Sequence, residues 1–322
     1  MYKYKAAWYT PLNSEVRELA RLDEVDEFLK KYGITWLSCA AVTEEELADV
    51  GRKFGLHKLA LDDCLSKRQL PKVEDYKDNF FVILKAVEPE QHMKTQQIGV
   101  FVGKNYVVSV SETCLACLEP VFKKIAEKSP RILRGGPDYL CYEIIDMVVD
   151  GYFPVLERIE KDIGEIEEQI VDESAKKPLK KIFRLRKDLI ALRKIIWPTR
   201  EMIMRLEKED LPNLQEKSIL YYRDIYDHIL WLADMIENYR ELLTGSLETH
   251  LLVVSNRLNE VVKVLTVVTA LILVPSLIAG IYGMNFQNLP GKEDPYGFYA
   301  VIGAMAITMI AMSAYFIKRK WI

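Results

Sequence analysis

Over the first 130 residues the apolar positions come in short runs bounded by polar or glycine-containing breaks, the pattern of strands rather than of long helices. KYKAAWY (3–9), ITWLSCAA (34–41) and NFFVILKAV (79–87) predict strands. QIGVFV and YVVSVS, on either side of Gly103-Lys104-Asn105, predict a β-hairpin. Between these runs, TEEELADVGRKFG carries Thr43 and Glu46 at capping-box spacing and ends on Gly55, so it predicts a helix. Residues 1–130 therefore predict an α/β domain.

From Pro137 onward the period changes to that of helices, and residues 131–263 predict a helical region ending in a long stalk. Residues 155–173 hold eight acidic side chains against two basic, and residues 176–194 hold nine basic against one acidic, with Pro178 marking the turn. An antiparallel pair with complementary faces and two separately solvated faces both satisfy those charges. After Leu211-Pro212 a helical pattern runs from about Leu214 to Tyr282, a length of roughly 100 Å at 1.5 Å per residue. Gly245 is its soft spot and Pro275 its expected bend.

Residues 264–291 and 295–317 contain no charged side chain. Each stretch is long enough to cross a bilayer, which takes about 20 residues. They predict transmembrane helices at about 264–282 and 298–317, within a membrane part 264–322, so the stalk continues directly into the first span. Arg257 and Lys263 precede the first span, and Lys318, Arg319 and Lys320 follow the second. Only Lys292, Glu293 and Asp294 lie between the spans. That bias predicts both termini in the cytoplasm and a short external loop. Tyr282, Phe286, Tyr296, Phe298 and Tyr299 fit the outer boundary, and Tyr315 and Trp321 the inner one. The opening MYKYKAAWYT has no apolar stretch of the kind a secretory signal needs.

Composition adds little beyond segregation. Half of the 322 residues are apolar, 28% are charged and the formal net charge is −3, which gives no reason to expect a nucleic-acid partner. Five cysteines without a regular framework predict reduced thiols. Cys114 and Cys117 form a lone CxxC and are expected as buried helical cysteines rather than zinc ligands. GVFVGKN is one residue short of a phosphate loop and has Asn105 where Ser or Thr belongs, so no nucleotide is expected. His57, His92, His228 and His250 are scattered, and no acid–base or nucleophile group points to an enzyme.

The chemistry concentrates in the first span. Asn259, Val262, Thr266, Thr269, Leu273, Ser276 and Gly280 follow one another at steps of three or four, which places them on one helix face. Such a stripe serves either helix packing or a pore, and a pore needs several copies around an axis. At its outer end stands GIYGMNF (280–286). Here the chain resembles the CorA family of magnesium channels, whose mark is Gly-Met-Asn after the first of two C-terminal spans, in this sequence Gly283-Met284-Asn285. SNRLNEVVKVLT, YYRDIYDH, LRKIIWPTRE and HKLALDDCLSKRQLPKVEDY extend the resemblance over most of the chain.

The resemblance implies a homopentameric funnel that passes Mg2+, with Co2+ or Ni2+ as further cargo, through the cell membrane among its lipids. It implies that Asn259 stands near the cytoplasmic entrance and that Leu265 belongs to a hydrophobic constriction. Val262 and Leu273 stand where some relatives carry methionine, and Ser276 where some carry threonine. It also implies inhibition by Mg2+ held between cytosolic domains, with Asp62, Asp63 and Asp224 as candidate ligands. Read on residues alone, Asp62-Asp63 is a surface pair near a helix start and Asp224 belongs to a solvated helix face. Transport of zinc, cobalt or nickel, and a non-conducting membrane-anchored cation sensor or scaffold, are the alternatives. Met284 favours magnesium over zinc.

Overall fold

The computed structural model describes all residues except 1, 89–92, 172–177, 209–210, 286–288, 292–293 and 322. The expected boundary aromatic Phe286, the loop charges Lys292 and Glu293, and His92 lie outside the described residues, as does the junction of the acidic and basic runs. The chain divides into two compact units, Met1–Gly245 and Ser246–Ile322.

The first unit is built on a seven-stranded sheet: β1 (Tyr4–Tyr9), β2 (Ser14–Leu19), β3 (Ile34–Ala40), β4 (Lys72–Asp75), β5 (Phe80–Val87), β6 (Thr95–Val102) and β7 (Tyr106–Ser111). The spatial order is β2-β1-β3-β7-β6-β5-β4. Only β3 and β7 run parallel; every other neighbouring pair is antiparallel. β3, β5, β6 and β7 are buried along almost their whole length. That burial explains why they read as near-continuous apolar runs without alternation. The hairpin at Gly103 closes as expected, with the Gly103 amide donating to the Tyr106 carbonyl at 2.9 Å.

Short helices cover one face: α1 (Asp26–Leu29), α2 (Glu44–Phe54) and α3 (Lys58–Leu65). Their Phe28, Leu47, Val50, Phe54, Ala60 and Leu61 share a core with Leu37, Phe81, Ile83, Phe101 and Val108 of the sheet. α2 forms the expected capping box, with the Thr43 hydroxyl accepting from the Glu46 amide and the Glu46 carboxylate accepting from the Thr43 amide. It stops where Gly55 takes φ 67°, and the Leu56 amide reaches back to the Gly51 carbonyl at 2.9 Å.

On the other face lie α4 (Glu119–Ala126), α5 (Pro130–Arg134) and α6 (Pro137–Asp150). α4 brings Phe122 flat against Trp36, with centroids 3.8 Å apart, and α6 lies across β5, β6 and β7. α7 (Phe153–Val171) and α8 (Pro178–Lys208) then pack together. Ile159, Ile163, Ile166 and Ile170 are buried on one, and Ile182, Leu185, Leu189, Leu192 and Ile196 on the other. Lys181 pairs with Asp162 at 3.3 Å and Glu165 at 2.6 Å. The apolar seam does most of the pairing, and opposite charge adds to it near the turn. The next helix, α9, spans Glu216–Tyr282 and belongs to both units. In the first unit it buries Tyr222, Ile225, Ile229, Leu232, Ile236, Tyr239 and Leu243, alternating steps of three and four. The second unit holds the rest of α9 and α10 (Gly297–Lys318); both are long and apolar enough to cross a membrane.

Candidate ion pathway and cation sites

Within the second unit, each apolar helix has one covered seam and is mostly open elsewhere. On α9, Val267 is 3% exposed, and Ala270, Leu271, Val274, Pro275 and Ile278 beside it are half-covered. On α10 the half-covered positions Gly297, Val301, Met305, Thr308, Met312 and Phe316 step by three or four, and Gly303 and Ser313 are half-covered off that line. That spacing is what a helix-to-helix seam requires. The stripe Asn259, Val262, Thr266, Thr269, Leu273, Ser276 and Gly280 lies elsewhere on α9, roughly 140° round from its covered seam at 3.6 residues per turn. It is exposed along its whole length, as is Leu265 at 64%.

The polarity of this stripe is set by internal hydrogen bonds. The Thr266 hydroxyl donates to the Val262 carbonyl and the Thr269 hydroxyl to the Leu265 carbonyl, each at 2.7 Å. With their protons committed to their own helix, both hydroxyls face outward as acceptors.

At its C-terminal end, α9 stops at Tyr282 by tightening. The Gly283 amide donates to the Ala279 carbonyl at 2.8 Å, and the Met284 amide to the Ile281 carbonyl at 3.3 Å. Gly283 does not take a positive φ, so it is not the left-handed cap that glycine at a helix end suggests. Its lack of a side chain keeps space clear, since a Cβ there would lie 3.0 Å from the Ala279 oxygen. Met284 and Asn285 follow in the open, and the Asn285 amide makes no hydrogen bond to any described residue. The Tyr282 hydroxyl ties the far side of the loop, donating to the Pro290 carbonyl at 3.3 Å.

The three candidate aspartates of the first unit lie in different settings. Asp62 and Asp63 are the fifth and sixth residues of the eight-residue α3, near its end rather than its start. Carboxylates at a helix C-terminus are disfavoured by the helix dipole and call for positive partners. Asp63 has one: Lys72 Nζ sits 2.6 Å from its Oδ2, while the neutral amide of Gln69 donates from Nε2 to its Oδ1 at 2.6 Å. The sheet fixes its position. Gln97 on β6 donates to the Asp63 main-chain oxygen at 2.7 Å. α3 can lie this close because β6 has Gly99, where a Cβ would stand 2.4 Å from Cys64 Sγ. Asp62 points the other way, into an exposed groove shared with Glu44, Arg52 and Lys58. Asp224 is exposed on α9, as expected of a solvated face.

The structure also assembles a group that the sequence reading passed over. Asp146 and Asp150 on α6 and His228 on α9 each bring a ligand atom within 4.8 Å of the others. None of the three side chains makes a hydrogen bond or an ion pair to a described residue, and His228 Nδ1 is buried without a partner among them. Burial first, then the negative charges of Asp150 and Glu143, push the Asp146 carboxyl up to about 6. Asp224, one turn before His228, adds its own charge to Asp150. Two aspartates and an imidazole suit a divalent cation, and the imidazole suits transition metals in particular. The spacing Asp-x3-Asp on α6 and Asp-x3-His on α9 was the available signal.

Other expectations need adjustment. Cys114 and Cys117 are half-buried in an irregular segment and a 3-10 turn rather than buried in a helix, and burial pushes the Cys117 thiol up to about 11. All five cysteines are free.

Comparison with known proteins covers nearly the whole chain. Residues 31–319 match the family described as CorA-like Mg2+ transporter protein. The cobalt/magnesium transport protein CorA of Thermotoga maritima is 34% identical over 292 residues, 89% of this chain and 83% of that protein. Its counterpart from Methanocaldococcus jannaschii is 29% identical over 303 residues, 94% of this chain and 95% of that one. The complete structure of the Methanocaldococcus jannaschii CorA magnesium transporter superposes with a TM-score of 0.87 at 26% identity, covering 100% of this chain and 99% of that one.

Proposed function

The chain belongs to the family of CorA-like Mg2+ transporter proteins, and from that premise we propose that it is a channel passing hydrated Mg2+ into the cytoplasm. The observation that carries this reading is the exposed stripe of α9, which leads from Asn259 past the acceptor oxygens of Thr266 and Thr269 to the open amide of Asn285. Mg2+ gives up its inner waters reluctantly, and those waters direct their protons outward. A lining that recognises the hydrated ion must therefore accept hydrogen bonds. Hydroxyls whose protons are spent on the helix do so, and the carbonyl oxygen of Asn285 does the same at the mouth with its neighbours Gly283 and Met284. Leu265, Val262 and Leu273 bring apolar rings to the same path, where dewetting can stop ions; Ser276 keeps the path polar nearer the mouth.

One stripe cannot enclose a path. The reading therefore includes self-assembly, a homopentamer by likeness to the family, with residues 264–322 in the cell membrane and both termini in the cytoplasm. Residues 1–130 and 131–263 then form the cytosolic sensor and stalk. Entry needs no nucleotide: each divalent ion gains about 4.6 kcal/mol per 100 mV of inside-negative potential, twice the value for one charge. Such a leak must be shut when internal Mg2+ is high, and acidic sites on the cytosolic unit can serve that end. Asp62, Asp63 and Asp224 are ligand candidates, as is the unpaired Asp146–Asp150–His228 group that adjoins Asp224. Ions there would neutralise like charges and hold the closed state. The imidazole of His228 favours a second cargo or effector among Co2+, Ni2+ and Zn2+.

Liposomes containing the purified protein, with an imposed inside-negative potential, test the reading. Mg2+ uptake should be fast when internal Mg2+ is chelated and slow when it is abundant. No uptake in either condition would favour a non-conducting cation sensor.

A further inference from the structure

Asp63, one of the ligand candidates above, already holds a cation. Lys72 Nζ lies 2.6 Å from Asp63 Oδ2 and 2.6 Å from Glu74 Oε1, bridging the two carboxylates with one ammonium. Lys72 and Glu74 are two residues apart on β4, so both side chains rise from the same face of the edge strand. The Tyr76 hydroxyl donates to the other oxygen of Glu74 at 2.6 Å and keeps that carboxylate turned toward Lys72. Gln69 holds Asp63 Oδ1, and Gln97 holds its main chain. The two carboxylates are thus fixed from several sides, while the ammonium is the end of a flexible stem. All three charged side chains remain partly exposed, so an ion has access.

We infer that Lys72 is a built-in competitor for the regulatory cation at Asp63: its ammonium occupies the position between Asp63 and Glu74, and a divalent ion binds there only by displacing it. The inference rests on the reading of Asp63 as a regulatory ligand and adds what sets the threshold. With Lys72 in place one of the two negative charges is balanced at low Mg2+, so the like-charge repulsion at the site is reduced but not removed. As Mg2+ rises, a doubly charged ion takes the oxygens and Lys72 swings toward solvent. The strength of the lysine's hold then fixes the concentration at which inhibition begins. Glu74 becomes a second ligand at the same position.

The test is the Mg2+ concentration giving half of the Mg2+-induced rise in Tm of the full-length detergent-solubilised protein, with half-inhibition of liposome uptake as the second readout. Lys72→Gln removes a positive charge beside the site and should lower both midpoints by roughly tenfold, the size of one nearby charge in a partly exposed setting. Lys72→Met serves the same purpose should Lys72→Gln fold poorly. Lys72→Arg keeps the charge and should leave the midpoints within about twofold of wild type. Asp63→Ala should raise both. Midpoints unchanged or raised in Lys72→Gln, beside a raised midpoint in Asp63→Ala, would overturn the competitor role and leave Asp63 as a ligand. A wild-type midpoint in Asp63→Ala would instead remove the regulatory reading of Asp63 itself. A lowered midpoint in Lys72→Arg as well would assign the effect to packing and overturn the inference.

Discussion

Thr269 donates its hydroxyl proton to the Leu265 carbonyl at 2.7 Å and so turns only acceptor lone pairs away from its helix. Thr269→Val keeps the shape and the β-branch while removing the acceptor. Mg2+ uptake should fall severalfold with Tm almost unchanged, because the lost bond is a local one to a carbonyl already bonded in the helix. Liposome uptake and a thermal melt on the same preparation check both halves. Full uptake in Thr269→Val would mean that this hydroxyl does not face the ion's waters.

The Asp146 carboxyl, raised to about 6 by burial first and then by Asp150 and Glu143, makes a prediction about pH. An acid whose folded pKa lies above its unfolded one binds its proton more tightly when folded. Stability therefore falls as pH rises from the ordinary carboxylate range through about 6, and above that the ionised group is a standing cost. In chelator at pH 7.5, Asp146→Asn should melt higher than wild type, and by pH 5 the difference should shrink. Melts at the two pH values decide it; equal Tm values at pH 7.5 would contradict the assigned environment.

Much of the fold is legible in the sequence because it rests on local rules. Thr43, Glu46 and Gly55 mark α2 by its capping chemistry alone, and β3, β5, β6 and β7 stand out because both of their faces are buried. The edge strands β2 and β4 escape for the opposite reason. They are mostly polar, as edges that must resist further pairing tend to be, so SEVREL and KVED carry little apolar signal. The candidate sites divide in the same way. The stripe on α9 is a one-helix feature and needs only the helical period. The Asp63–Lys72 pair crosses a loop, and its closeness depends on α3 packing against Gly99. Asp146 meets His228 only because α6 and α9 pack together, with the Tyr222 hydroxyl donating to the Asp138 carbonyl at 2.8 Å. The i, i+4 spacings set residues of each helix on one face, but they do not say that the two helices meet.

Gly99 shows how closely this packing is set. Gly99→Ala would place a methyl 2.4 Å from Cys64 Sγ and should destabilise the protein by about 1–3 kcal/mol, the usual cost of overpacking. Because the atom it meets is a side-chain end, Cys64→Ala should recover a large part of that loss. A double-mutant cycle by chemical denaturation measures the coupling. Purely additive effects would show that something other than the Cys64 contact limits the approach of α3.

Loss of the α2 cap should be smaller and local. Thr43→Ala removes the oxygen that accepts from the Glu46 amide and should cost about 1 kcal/mol, read from the denaturation midpoint. Thr43→Ser keeps that oxygen and should recover most of the loss. Equal losses in the two variants would assign the effect to the threonine methyl instead.

The central claim is that hydrated Mg2+ passes a mouth formed by Asn285. Its most direct test is Mg2+ uptake into liposomes under an inside-negative potential, with internal Mg2+ chelated, for wild type beside Asn285→Ala. Wild type should conduct, and Asn285→Ala should lose uptake while keeping its assembly and melting behaviour. Equal uptake by the two proteins would contradict the account.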